Sequence, residues 1–248
     1  MKIELGKNII NKINLKNEVV EISNKLFIYE YYNLKKNTTF KKKNLKSFTV
    51  FFQSFSNGSI IRINNKITKL KKKIVIQSEN THLTIEIIKG RVSFFLAGTK
   101  NSKIKSKSLK IFDQLNLYKV AKPWGYEIWI NGRHRNYAFK KIFLKKNFQT
   151  SLQFHKFKTE TNLLFNGKAF LVYKKNPFIK NLNITKKDLG LKTLNSIYSI
   201  HVRPNTIHRI KAKSNIVLYE VSTPHLDDVI RLSDDTFRPN GLIRSEHS

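Results

Sequence analysis

In the segment Ser151-Leu-Gln-Phe-His-Lys-Phe-Lys-Thr-Glu160, Gln153 and His155 stand two residues apart. On a strand that spacing puts both side chains on one face. Lys156–Thr159 can turn the chain, Glu160 opens the next apolar run, and Gly167 is expected to close a hairpin. Far along the chain, His201-Val-Arg-Pro-Asn-Thr-Ile-His208 carries Pro204 and Asn205, a turn pair in which Asn tolerates the left-handed region. His208 follows that turn. Gln153, His155, Glu160 and His208 thus offer two imidazoles, a carboxylate and an amide oxygen. That mixed donor set suits a divalent ion such as Zn²⁺, Fe²⁺, Mn²⁺, Ni²⁺ or Co²⁺ and leaves room for water or substrate.

The elements that must position these residues read as strands. Short β-branched and aromatic runs recur at Ser47–Gln53, Ser59–Ile63, Lys73–Gln77, Leu83–Ile88, Val92–Leu96, Lys140–Leu144, Thr161–Phe165, Ala169–Tyr173, Ser196–Val202 and Ile216–Val221. Turn residues separate them at the spacing of a sandwich or barrel. Asn-Gly pairs at 57–58, 131–132, 166–167 and 240–241 predict hairpins. Helical periodicity is absent, and the expected class is all-β. Residues 51–64 parallel residues 161–174 as strand, Asn-Gly, strand, and residues 89–100 parallel 213–224. The offsets imply a longer loop within Lys174–Leu194 and two β units, 1–112 and 113–248. Six of the seven His lie in the second, and the first contains no Asp, so the chemistry is expected in the second.

Composition sets the limits. The chain of 248 residues has 40% hydrophobic and 12% aromatic residues, enough to build a core. It has no Cys, which removes thiol nucleophiles, Cys-zinc sites and iron–sulfur clusters. No apolar run reaches the roughly 20 residues of a membrane-spanning helix, and the charged N-terminus does not read as a secretory signal. The expectation is a soluble cytoplasmic protein with no membrane partner. The 48 basic and 16 acidic residues give a net charge of +32, which raises a nucleic-acid reading. However, only nine of the basic residues are Arg, the usual base reader, and the excess is shared by both halves. The tracts Lys41–Lys43 and Lys71–Lys73 are expected to be solvated loops. No specific nucleic-acid partner is expected, whereas phosphorylated small molecules would be attracted.

The text Gln153-x-His155-x₄-Glu160-x₆-Gly167, followed by Pro204-x₃-His208, resembles the two motifs of the cupins, with Gln153 where a His is usual. Residues 119–244 more specifically resemble the cupin-type (type II) mannose-6-phosphate isomerase domain. Four blocks carry this: Lys122-Pro-Trp-Gly-Tyr-Glu127, Ser151-Leu-Gln-Phe-His155, Pro204 to Arg209, and Glu220-Val-Ser with Leu226-Asp-Asp-Val-Ile-Arg-Leu-Ser-Asp234. Thr161 stands where that family has a His, and no Gly-rich nucleotidyltransferase signature is present. The resemblance implies a double-stranded β-helix, the cupin jelly roll, here as a bicupin. Its second barrel would hold a divalent metal, Zn²⁺ first among the candidates. The first barrel would be degenerate, with Lys46 and Phe51 opposite His155 and Glu160. The implied reaction is aldose–ketose isomerisation of a phosphorylated hexose, mannose 6-phosphate to fructose 6-phosphate, with homodimerisation left open.

Among the remaining polar residues, Arg209 is expected to fork onto the substrate phosphate, with Lys158 and Lys168 as further cations. Glu220 is the candidate base near the metal. For Gln153 the alternative is a bond to sugar hydroxyls, for Glu220 a strand-end salt bridge, and for Arg209 a surface site. Asp227, Asp228 and Arg231 read as anchors of the C-terminal tail, Trp124 as a core plug, and His201 as an outside candidate for the pocket. Rival functions are another cupin sugar enzyme, an epimerase or Fe-dependent oxygenase, and a metal- or sugar-binding protein without turnover.

Overall fold

The computed structural model describes residues 10–16, 19–22, 25–42, 45–102, 104–132, 134–174, 185–195 and 197–247. Among them every regular element is a strand or a short 3₁₀ turn, and no helix is long and apolar enough to cross a membrane. All ten expected apolar runs fall on strands, although Ser196, like Lys43 and residues 175–184 of the expected long loop, lies outside the described residues. Lys41 and Lys42 belong to the strand Thr39–Lys42 rather than to a loop, and Lys42 pairs with the buried carboxylate of Glu30 at 2.9 Å.

The chain divides into two compact units. Asn14–Leu117 and His134–Tyr137 belong to the first, and Asn8–Ile13, Tyr118–Arg133 and Ala138–Ser248 to the second. Each is built from two antiparallel sheets. In the first unit the larger sheet runs Ser108–Asp113, Ile74–Glu79, Ser47–Phe55, Arg91–Thr99, Ile28–Lys35, Val19–Glu21. In the second it runs Ile10–Lys12, Tyr198–Val202, Glu160–Asn166, Ile216–Ser222, Ala138–Leu144, Gly125–Asn131, Tyr118–Lys122. The order is the same once Ser47–Phe55 is matched to Glu160–Asn166 and Arg91–Thr99 to Ile216–Ser222. The smaller sheets hold Thr39–Lys42, Leu83–Lys89, Ile60–Ile63 and Lys66–Lys69 in the first unit. In the second they hold Leu189–Leu194, Ala169–Lys174, His208–Ala212, Leu152–Phe154 and Ile230–Ser233.

This topology corrects the hairpin expectation at two of the four Asn-Gly pairs. The strands flanking Asn57-Gly58 lie in different sheets, as do those flanking Asn166-Gly167. These two Asn-Gly pairs are therefore corners that carry the chain from the larger sheet to the smaller. Asn131-Gly132, by contrast, ends the strand Gly125–Asn131, which pairs antiparallel with the next strand, Ala138–Leu144, as a hairpin would. Gly167 sits at φ +92, and a Cβ there would come within 2.4 Å of the Asn215 carbonyl oxygen, so this corner requires glycine.

The two interiors differ. In the first unit Phe48, Val50 and Phe52 share a core cluster with Phe94 and Leu96. In the second, Glu160, Asn162 and Leu164 occupy the matching places, with bulges at corresponding points of the two ladders. Phe48, rather than Phe51, therefore stands where Glu160 does; the two are three residues apart, an odd offset that puts them on opposite faces of the strand. Tyr32 stacks on Phe94 at 5.0 Å, and Phe40 meets the same ring edge-on. Fully buried Phe94 fills the centre of this cluster. Phe94→Ala should lower stability by about 3–5 kcal/mol, read as an earlier chemical-denaturation midpoint for the first unit. A midpoint within experimental scatter of the parent would show that the cluster does not organise that unit.

Candidate metal centre

Three strands and one loop converge on a buried polar cluster in the second unit. Gln153 lies on Leu152–Phe154, Glu160 opens Glu160–Asn166, and His208 opens His208–Ala212. His155 follows the first of these directly. Gln153 pairs across the sheet with His208, so the two side chains share a face. The turn before His208 forms as expected: Asn205 has φ 62 and its N–H donates to the His155 carbonyl at 2.6 Å. One turn thereby joins the two motif segments.

The ligand atoms of His155, Glu160 and His208 all lie within 4.8 Å of one another, and all three residues are buried. His208 Nε2 stands 3.2 Å from Glu160 Oε1, and His155 Nε2 stands 3.5 Å from Glu160 Oε2. A first-row ion bound at about 2.0–2.2 Å by each donor needs donor separations of roughly 3 Å, close to what is present. The tautomers suit this. His155 Nδ1 donates to the Asp228 carbonyl, and His208 Nδ1 donates to the Thr206 carbonyl at 3.0 Å. Each Nε2 is thus left with its lone pair toward Glu160, the arrangement by which backbone acceptors orient metal-binding imidazoles. His155 Nε2 is buried and has no hydrogen-bond partner, an unsatisfied acceptor that a cation would complete. The donor set therefore fits a divalent metal.

Glu160 is the most heavily compensated group. Burial would raise its pKa, but the Lys158 ammonium, the strongest of its neighbours, holds it well below the ordinary carboxylate range. Lys158 Nζ donates to Glu160 and, at 2.9 Å, to Glu220. Burial works against its charge, and the two carboxylates more than reverse that, raising its pKa. Lys158 is accordingly a fixed cation and no base. Asn162 donates to Glu160 Oε1 at 3.0 Å. Glu220 pairs with Lys140 on one neighbouring strand and with Asn162 on the other, which sets a polar row across the sheet beside the cluster.

A cavity opens onto this row. Gln153, His155, Lys158, Glu160, His208 and Glu220 all line it. Trp124 both lines it and packs into the core cluster. Arg209 is a correction. It alternates with His208 and Ile210, which face the cavity, and its guanidinium donates instead to the Ser233 carbonyl at 2.8 Å. Lys168 is exposed near the Gly167 corner. His201 turns to the other face of its sheet and bonds Thr161 Oγ1 at 3.0 Å. Burial, then the charge of Arg203, pushes its pKa down to about 4, so this imidazole is neutral at ordinary pH.

Sequence reasoning missed Lys122, Glu127, Trp129, Lys140, Arg238 and Glu246 in the lining. For Glu127 and Lys140 the signal was a charge within an otherwise apolar strand, as in Tyr126-Glu-Ile128; Arg238 and Glu246 lie outside the strands and carried none. Glu127 accepts from Trp129 Nε1 at 2.9 Å and from Lys140 at 3.2 Å. Burial opposes its charge, yet Lys140, Lys122 and the indole bond hold its pKa near 2. Its contribution to stability is therefore complete above the ordinary carboxylate range and fades as pH falls toward 2.

Asp228 binds the loop after His155. Its carboxylate accepts from the N–H groups of Lys156 at 2.9 Å, Phe157 at 2.6 Å and Lys158 at 2.9 Å, while its carbonyl orients His155. Asp228→Ala should weaken divalent-metal affinity by roughly 10- to 100-fold, the usual cost of losing support behind a ligand. Isothermal titration with Mn²⁺ or Zn²⁺ measures this, and unchanged affinity would remove the loop from the account.

No family model matches the sequence, and a search of curated proteins gives no match. Solved structures do match. The formate complex of Lactobacillus farciminis oxalate decarboxylase superposes with a TM-score of 0.63 at 9% identity, covering 93% of this chain and 90% of that one. Bacillus subtilis oxalate decarboxylase, in a structure concerned with its Mn(II) centres, gives 0.61 at 8% identity, covering 93% and 81%. At such identities the likeness is one of fold, and the fold is the cupin jelly roll.

Proposed function

We propose that this chain is a metal-dependent isomerase of a phosphorylated hexose, with mannose 6-phosphate and fructose 6-phosphate as the pair that the sequence resemblance implies. The reading is carried by the buried His155–Glu160–His208 set, which shares one cavity with a carboxylate, Glu220, held beside it by Lys158. His155, Glu160 and His208 would hold a divalent ion, with Gln153 as a fourth ligand from the same sheet face. Zn²⁺ and Mn²⁺ both suit such donors, and Mn(II) is what the Bacillus subtilis neighbour carries. Bound there, the ion supplies Lewis acidity to the sugar oxygens.

In the aldose-to-ketose direction a proton leaves C2, and the C2–H electron pair forms the C1–C2 double bond of an enediol as O1 gains a proton. The oxygen on C2 then gives up its proton to become the new carbonyl, and C1 takes a proton. Glu220 is the group that takes the proton from C2 and returns it to C1. Its carboxylate faces the cavity and is oriented by the Lys158 ammonium at 2.9 Å. The charged Lys158 steadies negative charge nearby and keeps Glu220 from swinging away. The apolar lining of Trp124, Ile142, Ile210 and Leu218 excludes water from the carbon skeleton. The first unit, whose matching interior is Phe48, Val50 and Phe52, is a barrel of the same topology without ligands and serves packing.

Metal-loaded protein should convert mannose 6-phosphate to fructose 6-phosphate, and a chelator should abolish the conversion. Glu220→Gln should lower kcat by about 10²- to 10⁴-fold, the usual worth of a positioned base, with a small change in KM. Absence of turnover with every hexose phosphate, together with O₂ uptake or release of CO₂ from oxalate, would replace the isomerase with another cupin chemistry.

A further inference from the structure

We propose that Arg231 is the anion-binding residue of the cavity, its free guanidinium edge receiving the phosphate of the substrate. This rests on the phosphosugar reading above and gives it a second end.

Among the described residues five Lys and Arg side chains line the cavity: Lys122, Lys140, Lys158, Arg231 and Arg238. Four of them are already neutralised. Lys122 pairs with Glu246 at 2.6 Å, Lys140 with Glu127 at 3.2 Å, and Lys158 with Glu160 and Glu220. Arg238 spans Asp234 at 2.7 Å and Glu246 at 3.2 Å. Among the described residues no carboxylate lies within ion-pair distance of Arg231. Burial first, and then the charge of Arg238, works against its charged form, while Asp234, Glu246 and Glu127 favour it from a distance without pairing; an arriving anion would add the direct partner.

The guanidinium is also held in place on one side only. Arg231 Nε donates to Ser151 Oγ at 3.2 Å, and Nη1 donates to the carbonyls of Pro239 and, at 2.9 Å, Gly241. Among the described residues Nη2 has no hydrogen-bond partner. The anchoring of the tail expected for Arg231 is therefore present, and it uses one edge of the fork while leaving a donor for a ligand. Such a preset cation loses little freedom when an oxyanion arrives.

The register aims it. Gln153 pairs with His208 on one side and with Arg231 on the other, so the row His208–Gln153–Arg231 shares one face of the sheet. A bulge next to Arg231 shifts the ladder between Leu152 and Gln153, a device that re-aims side chains beside sites. Two strand spacings separate Arg231 from His208, about 10 Å at Cα. A hexose whose C1 and C2 oxygens lie at the His155–Glu160–His208 end would then place its terminal phosphate toward Arg231.

The test uses the full-length metal-loaded protein and inorganic phosphate as probe, followed by calorimetry, with bound metal and circular dichroism measured on each variant. Arg231→Gln should weaken phosphate binding tenfold or more at unchanged metal content. Arg231→Lys, which preserves the charge and serves if the Gln variant fails to fold, should weaken it several-fold because the fork is lost. Arg209→Gln, altered outside the cavity, should leave it unchanged. Phosphate binding as tight in both Arg231 variants as in the parent would overturn the proposal, as would equal weakening in Arg209→Gln or no phosphate binding by the parent. Because the probe needs no turnover, a parent that binds phosphate through Arg231 yet isomerises no hexose phosphate removes the isomerase and keeps the anion site. Isomerase activity indifferent to Arg231 does the reverse.

Discussion

A carboxylate buried in a barrel must find positive charge, and in this protein that carboxylate is Glu160. It stands at the mouth end of the strand Glu160–Asn166 with almost no exposure. Lys158, His155, His208 and Asn162 all turn toward it. Removing one partner from a buried ionic set typically costs about 3–5 kcal/mol, so each of these positions is constrained by the others. The Asn205 turn, the Asp228 loop cap and the carbonyl contacts of the two imidazoles are the backbone arrangements that satisfy this constraint.

Charge compensation also explains the shape of the cavity chemistry. Lys158 bridges Glu160 to Glu220, Lys140 neutralises Glu127, and Lys122 and Arg238 share Glu246. A lining this rich in charge remains soluble in its own sheet because cations and carboxylates alternate along and across the strands. Where the alternation ends, at Arg231, a donor remains for a ligand. The strongly basic surface of the chain is a separate matter: it raises the local concentration of anions, while selection among them falls to a few buried groups that salt screens weakly.

Much of this was legible in the sequence. The strands were visible because β-branched and aromatic runs mark them, and the metal cluster was visible because His155, Glu160 and His208 keep a characteristic order. Asn57-Gly58 and Asn166-Gly167 were legible as turns but not as sheet-to-sheet corners, because pairing partners are set by contacts far along the chain. Phe51 was aligned with Glu160 in place of Phe48 because the Asn-Gly pairs served as the anchor, and Gly58 lies ten residues after Phe48 whereas Gly167 lies seven after Glu160. Arg209 was chosen for adjacency to His208, and strand alternation carries an adjacent residue to the opposite face. Arg231 was read as structural, which its carbonyl bonds support, and only its free Nη2 and its pairing with Gln153 show the second role. Glu127 and Lys140 escaped notice because a charged residue within an apolar strand looks the same whether it faces solvent or a partner.

The central claim is that His155, Glu160 and His208 form one metal site in the second unit. Pulsed electron paramagnetic resonance on full-length protein loaded with a single equivalent of Mn²⁺ tests it most directly. The account predicts one tightly held ion with nitrogen couplings from two imidazoles, reduced to one in either His155→Ala or His208→Ala. A bound ion without imidazole nitrogen, or with couplings unchanged in both variants, would contradict it.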